Sequence, residues 1–303
     1  MFMNGSVKRY ETLSNIFTMI KNLDNNTITR LKPLKEEGRP PYHPEILFKA
    51  ILIQHLYSFS DRELQENMLD QISIRKFIGI VNDTDIPSSK TIREFRKQLQ
   101  KNGTIEEYFN TLISRISEYG IEISKGSIID SSIVEAKGSK TPYKERRDKD
   151  ARKTQKHGKR HFGYKYHVVT DDRNKIIKKV DVTSANVHDY EKIDMLLHDD
   201  VDKYYGDKGY YSKVDKVIVG DKYKIMQKGY RNQPISNEDI ERNNVISKIR
   251  SRVEHVFGRM KNEFKINKVP FFDIESNRFY LILLCFVYNI KVIIKKGKFW
   301  DIP

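Results

Sequence analysis

The sequence predicts an α/β domain preceded by an all-α N-terminal domain, and three observations carry that expectation. Apolar residues keep helical spacing through the first 120 residues, and from Lys125 the period shortens to β-branched runs of strand length. Those runs then alternate with helical stretches in the order β-β-β-α-β-α, the alternation of an α/β fold. A length of 303 residues supplies material for about two domains. They divide as 1–122, helical, and 123–303, α/β, with a basic insertion at 137–162.

In the helical half, Pro44 takes a first-turn position, where its missing N–H is no loss. Ile46, Leu47, Ala50, Ile51, Ile53 and Leu56 follow with mostly helical spacing. Ser60 with Glu63, and Thr104 with Glu107, have the spacing of a capping box. Ile105, Tyr108, Phe109, Leu112, Ile113 and Ile116 form the stripe of a later helix, and Gly120 ends it. Residues 60–69 and 73–78 read as two short helices on a tight connection, followed by Ser89–Lys101 with Lys90, Arg93, Arg96, Lys97 and Lys101. Two readings fit: a packing or dimerisation module with a wet basic face, or a helix-turn-helix that meets DNA through residues such as Arg93 and Arg96.

In the α/β half, strands are expected at 127–134, 163–171, 175–183 and 202–206, each bounded by turn or polar residues. A helix at 187–198 lies between the third and fourth, and a fifth short strand at 223–226 precedes a long helix at 238–265. The run 279–294 is the most apolar of the chain. Tyr288, Asn289 and Lys291 interrupt it, and it falls short of the ~20 apolar residues of a bilayer crossing, so a buried helix and no membrane are expected. The N-terminal residues lack the apolar core of a secretory signal.

Composition narrows the partner. Lys and Arg number 56 against 41 Asp and Glu, a net charge of +15 that points to a polyanion, nucleic acid first. A hydrophobic content of 38% is enough to fold and excludes general disorder. The one cysteine, Cys285, excludes an intrachain disulfide framework and a Cys-rich zinc site, and fits a reducing cytoplasm. More than half of the net charge falls in 137–162, where eleven Lys or Arg meet three acids. That stretch reads either as a solvated loop or as a phosphate-binding insertion that becomes ordered on nucleic acid, in which Lys159 and nearby Lys165 meet phosphate.

The chemistry-bearing residues are acidic. Asp130 interrupts the apolar strand GSIIDSSIVEA, with Ile128 and Ser132 on its own face and Ile129 and Ser131 on the other. An ionised carboxylate there is costly unless it is paired or binds a cation. Asp207 stands at the end of the strand before DKGYYS, where α/β folds place their chemistry. In the late helix, Val245, Ile249, Val253, Val256, Met260 and Phe264 form an apolar stripe, while Arg250, Glu254 and Lys261 project within roughly 40° of one another. Three carboxylates suit two Mg²⁺ ions and a scissile phosphate, a chemistry that needs no Ser, Cys or His nucleophile. Lys208 pairs with Asp207 or meets DNA. His167, and His188 with Asp189, are expected in structural or substrate-orienting roles.

Five ordered motifs carry a resemblance. IIDSSIVEA, RDKDARKTQKHGKRHFGYKYHVVTD, SANVHD, YYGDKGY and IRSRVEHVFGRMK resemble the DDE transposases of the bacterial insertion-sequence-five family, and GRPPYHPEILFKAILIQHLYSFSDRELQENMLD is similar to that family's N-terminal domain. The resemblance implies a ribonuclease-H-like catalytic core in which Asp130, Asp207 and Glu254 are catalytic and hold two Mg²⁺, with Mn²⁺ able to substitute. It also implies an Arg-x₃-Glu-x₆-Lys signature, met by Arg250, Glu254 and Lys261. The wider group has a Tyr three residues before that Arg, where this chain has Ser247. The implied activity is binding of terminal inverted repeats on double-stranded DNA, hydrolysis at the ends and attack of the freed 3′-OH on target DNA, by a homodimer or larger assembly in the cytoplasm. Two rivals keep the fold: a two-metal nuclease or resolvase that never joins strands, and a DNA-binding repressor derived from a transposase.

Overall fold

A computed structural model describes residues 41–138, 148–156, 158–195, 201–230 and 234–296, with isolated residues 15, 16, 19, 28, 31 and 197. The chain divides into two compact units, one of Met1–Ile121 with Phe286–Pro303, the other of Glu122–Cys285. The sequence reading carried its second domain on to residue 303. The structure groups the last stretch with the first unit, where Phe286 packs edge-on to Tyr108 and where Val287 and Ile290 line a small gap with Leu52, Ile53 and Leu56.

In the first unit, every regular element described between residues 41 and 121 is helical: α1 (Pro44–Leu56), α2 (Asp61–Asp70), α3 (Ile72–Ile78), α4 (Ser89–Lys101) and α5 (Thr104–Ser114), with short 3₁₀ turns at Asp83–Asp85 and Ile116–Tyr119. From Leu47 to Leu56 the whole of α1 is buried, polar residues included, as suits a central helix. The Ser60 capping box forms: Glu63 N donates to Ser60 Oγ (3.2 Å) and Ser60 N to Glu63 Oε2 (2.7 Å). The Thr104 box does not. Gly103 at φ 63° precedes the helix, and Thr104 is buried inside the first turn. α4 buries Ile92, Phe95, Arg96 and Leu99 and exposes Lys90, Arg93, Lys97 and Lys101 along one line.

The second unit is built on one sheet of β1 (Gly126–Glu135), β2 (Arg152–Lys156), β3 (Lys159–Asp171), β4 (Ile177–Ser184), β5 (Lys203–Gly206) and β6 (Tyr223–Ile225). The order is β2-β3-β1-β5-β6, and β4 shares the outer edge of β3 with β2. β1 runs antiparallel to β3 from Ser127↔Asp171 to Glu135↔Gly163, and parallel to β5 from Gly126↔Lys203 to Ile129↔Gly206. β5 and β6 are also parallel. Helices α6 (Lys213–Val219), α7 (Asn237–Glu263) and the start of α8 (Ile274–Lys296) complete the unit.

Three local expectations are corrected. β3 begins at Lys159, not at 163, because the basic insertion folds back as β2 on β3, with a ladder from Arg152↔Gly163 to Lys156↔Lys159. Its solvated side chains give no apolar alternation to read. Residues 139–147 and 157 of the insertion lie outside the described residues. The helix expected at 187–198 is a pair of 3₁₀ turns over Asp189–Met195, broken at Lys192. On α7 the buried line is Ile246, Val253, Val256, Phe257 and Met260, while Val245 is exposed. Asn243 sets that rotation: its amide bonds both the N–H (2.8 Å) and the carbonyl (3.0 Å) of Gln227.

Candidate active site

Asp130 lies mid-way along β1, and the register reaches Ile129↔Gly206 just before it. One step further, Asp130 and Asp207 emerge beside each other from adjacent parallel strands. Gly206 permits the approach, since a Cβ there would lie 2.7 Å from Ile225 Cδ1 and 3.1 Å from Ile129 Cγ2. α7 packs against both strands and brings Arg250 and Glu254 to the same place.

Arg250 joins the two elements. Its Nη1 donates to Asp130 Oδ2 at 2.6 Å and its Nη2 to Glu254 Oε1 at 2.9 Å. Asp130 Oδ1 accepts from the N–H of Ser131 at 2.8 Å, so both of its oxygens are engaged. Burial raises the Asp130 pKa to about 6 and Asp207 adds to the rise, while Arg250 pulls against it. The Asp207 carboxylate has no hydrogen bond or ion pair among the described residues, yet its charge is felt by both Asp130 and Arg250. Glu254 is the outermost of the three, its side chain 59% exposed. Asp130, Asp207 and Glu254 are thus neighbours but not closed on one point: among the described residues no three acidic, His or Cys side chains are arranged to hold an ion. The Arg250 guanidinium stands between Asp130 and Glu254.

The donor chemistry nonetheless fits hard divalent cations. All three side chains offer carboxylate oxygens, and that of Asp207 is unpartnered among the described residues.

On the opposite face of β1 lies a polar network that the sequence did not assemble. Ser131 Oγ donates to Asp189 Oδ1 at 3.0 Å, and Lys165 Nζ donates to the same oxygen at 2.9 Å and to Val187 O at 2.7 Å. Burial opposes ionisation of Asp189, but Lys165 and Ser131 outweigh it and its pKa is lowered. His167 is fully buried between Thr183 Oγ1 (2.9 Å) and Tyr210 OH (3.3 Å), and burial lowers its pKa to about 4, which keeps it neutral. His188 accepts from Tyr190 N (3.2 Å) and shapes the turn.

Two expected phosphate contacts are corrected. Lys165 is spent on Asp189, and Arg96 is buried against Asp61 Oδ1 (2.6 Å) and Gln54 Oε1 (2.7 Å). Lys159, Lys208 and Arg93 are exposed, and Lys261 and Ser247 are half-buried on α7. The sequence also missed Asp148, counted there only as a charge. Its Oδ1 accepts from Tyr164 OH (2.6 Å) and from the N–H groups of Asp150 (3.1 Å) and Ala151 (3.0 Å), and Asp150 Oδ2 caps Ile274 N at 3.0 Å. Both acids sit in the motif RDKDARK, but their partners are up to 124 residues away, beyond any local signal.

Residues 123–290 match the family model described as Transposase DDE domain, and residues 6–98 match that of Transposase domain (DUF772). No solved structure matches the chain.

Proposed function

The chain belongs to the transposases that carry a DDE domain, a family that implies a ribonuclease-H-like core and phosphoryl-transfer nuclease activity, and we propose that it moves an insertion sequence of the insertion-sequence-five type. It binds the terminal inverted repeats, cuts the phosphodiester at each end and joins the freed 3′-OH to target DNA. The observation that supports this reading is the meeting of Asp130, Asp207 and the Arg250–Glu254 pair where β1, β5 and α7 come together.

In this reading Asp130, Asp207 and Glu254 would hold a pair of Mg²⁺ ions, or Mn²⁺ in their place. Bound there, the ions would supply activation of the attacking oxygen and neutralisation of charge on the leaving oxygen. The Ser131 N–H would hold the Asp130 carboxylate in place through Oδ1. The Ser131–Asp189–Lys165 network holds that strand from behind. Arg250 and Lys261 face the phosphates near the scissile bond.

Most of the DNA affinity comes from exposed cations. The line Lys90, Arg93, Lys97 and Lys101 on α4 is one contact surface, and Lys156, Lys159 and Arg160 of the β2–β3 hairpin, with Lys208, are another. The working form is a homodimer or larger assembly on DNA in the cytoplasm, since two ends must be joined in one complex. No described helix is long and apolar enough to cross a membrane.

The test is a strand-transfer assay with a pre-cut terminal-repeat duplex and a target duplex in Mg²⁺. Joined product that disappears in Asp130→Asn is the expected result. Nicking without any joined product identifies a nuclease and overturns the proposal.

A further inference from the structure

We propose that Arg250 is the site's own counter-ion: it occupies the space between Asp130 and Glu254 when no divalent cation is bound, and it must surrender both carboxylates when cations enter. The inference rests on the metal site proposed above and assigns that site a built-in competitor.

The geometry carries it. One guanidinium forks to two carboxylates, 2.6 Å to Asp130 Oδ2 and 2.9 Å to Glu254 Oε1, and so neutralises two acids that would otherwise repel each other. Asp130 Oδ1 is already engaged by Ser131 N, so a cation that approaches Asp130 meets an oxygen in use on either side. Taking Oδ2 displaces the arginine, because a second positive charge within a few ångströms is strongly opposed in a site where Asp130 and Arg250 are only 15% and 18% exposed.

Arg250 is also incompletely satisfied. Its Nε is buried without a hydrogen-bond partner among the described residues, and a buried orphan donor is a cost. Once it leaves the two carboxylates, its planar fork is available to a DNA phosphate.

The alternative is a structural ion pair, and the two differ in sign. If Arg250 merely fastens α7 in place, its loss loosens Glu254 and weakens cation binding. If it competes, its loss strengthens binding.

The experiment measures Mn²⁺ binding to the full-length chain without DNA, from the electron paramagnetic resonance signal of free Mn²⁺. Arg250→Gln is expected to bind Mn²⁺ about tenfold more tightly than the wild type, and Asp130→Asn is expected to abolish the gain in the double variant. Arg250→Lys, which keeps a charge but cannot fork, shifts the affinity in the same direction by a smaller factor and serves if the Gln variant does not fold. Unchanged or weaker binding in the Arg250 variants, with Asp130→Asn still weakening the wild type, overturns the proposal and leaves the metal site standing. No effect of Asp130→Asn in either background removes the metal site and the proposal with it.

Discussion

Lys165 and Arg93 carry the same charge and are expected to answer mutation in opposite ways. Lys165 is 13% exposed and bonded to Asp189, so Lys165→Ala leaves the half-buried Asp189 carboxylate without its cation. It should cost about 1–2 kcal/mol of stability, read by urea unfolding, and leave the salt dependence of DNA binding unchanged. Arg93→Ala should leave stability within about 0.5 kcal/mol and lower the salt slope of binding by about one contact, read by titration at several salt concentrations. Part of this division was legible. On α4, Lys90, Arg93, Lys97 and Lys101 fall within about 80° of one another and opposite Phe95 and Leu99, whereas Arg96 stands about 60° from Arg93, at the border of the two faces. Lys165 was not legible, because its partner lies 24 residues on, in a turn that the sequence read as a helix. The bridging role of Arg250 needed a contact across 120 residues, from α7 to β1.

Helix α1 carries a titratable group inside its packing. His55 is buried, its Nδ1 2.8 Å from Ile51 O, and burial with the Arg96 charge lowers its pKa from 6.5 to about 4. The unfolded chain therefore binds a proton near pH 6.5 that the folded chain refuses until about pH 4. Stability should fall as pH drops through that window, by on the order of 3 kcal/mol from this group. His55→Gln should flatten the slope in thermal melts between pH 7 and 4; an unaltered slope would place the effect elsewhere. The β2–β3 hairpin makes a second claim at this scale. A Cβ at Gly163 would run into the Val134 carbonyl oxygen, so Gly163→Ala should destabilise the unit by at least about 2 kcal/mol, read by chemical unfolding. The strands carrying Asp130 and Asp207 were legible because apolar runs mark them, whereas β2, with the side-chain pattern of a solvated ribbon, was not.

Across the whole chain, the net charge of +15 implies binding to a polyanion, and more than half of that charge belongs to the stretch 137–162. The structure anchors the described part of that stretch through Asp148 and Asp150, so its cations are displayed from a paired ribbon rather than from a free loop. The order of β1, β3 and β4 as an antiparallel set, followed by parallel β5 and β6, was recoverable only in outline, since register and the shared edge of β3 depend on pairs distant in sequence. The three acids were readable from their motifs; that an arginine holds two of them together was not. In the proposed function Asp130, Asp207 and Glu254 form one metal-dependent phosphoryl-transfer site, and most of the DNA affinity comes from exposed cations rather than from these three acids. The most direct measurement is single-turnover cleavage of terminal-repeat DNA in Mg²⁺ by the wild type and by Asp130→Asn, Asp207→Asn and Glu254→Gln, with end binding measured in parallel. The account predicts a loss of cleavage on the order of 10³-fold or more in each variant with end affinity nearly unchanged; cleavage at the wild-type rate in any one of them would contradict it.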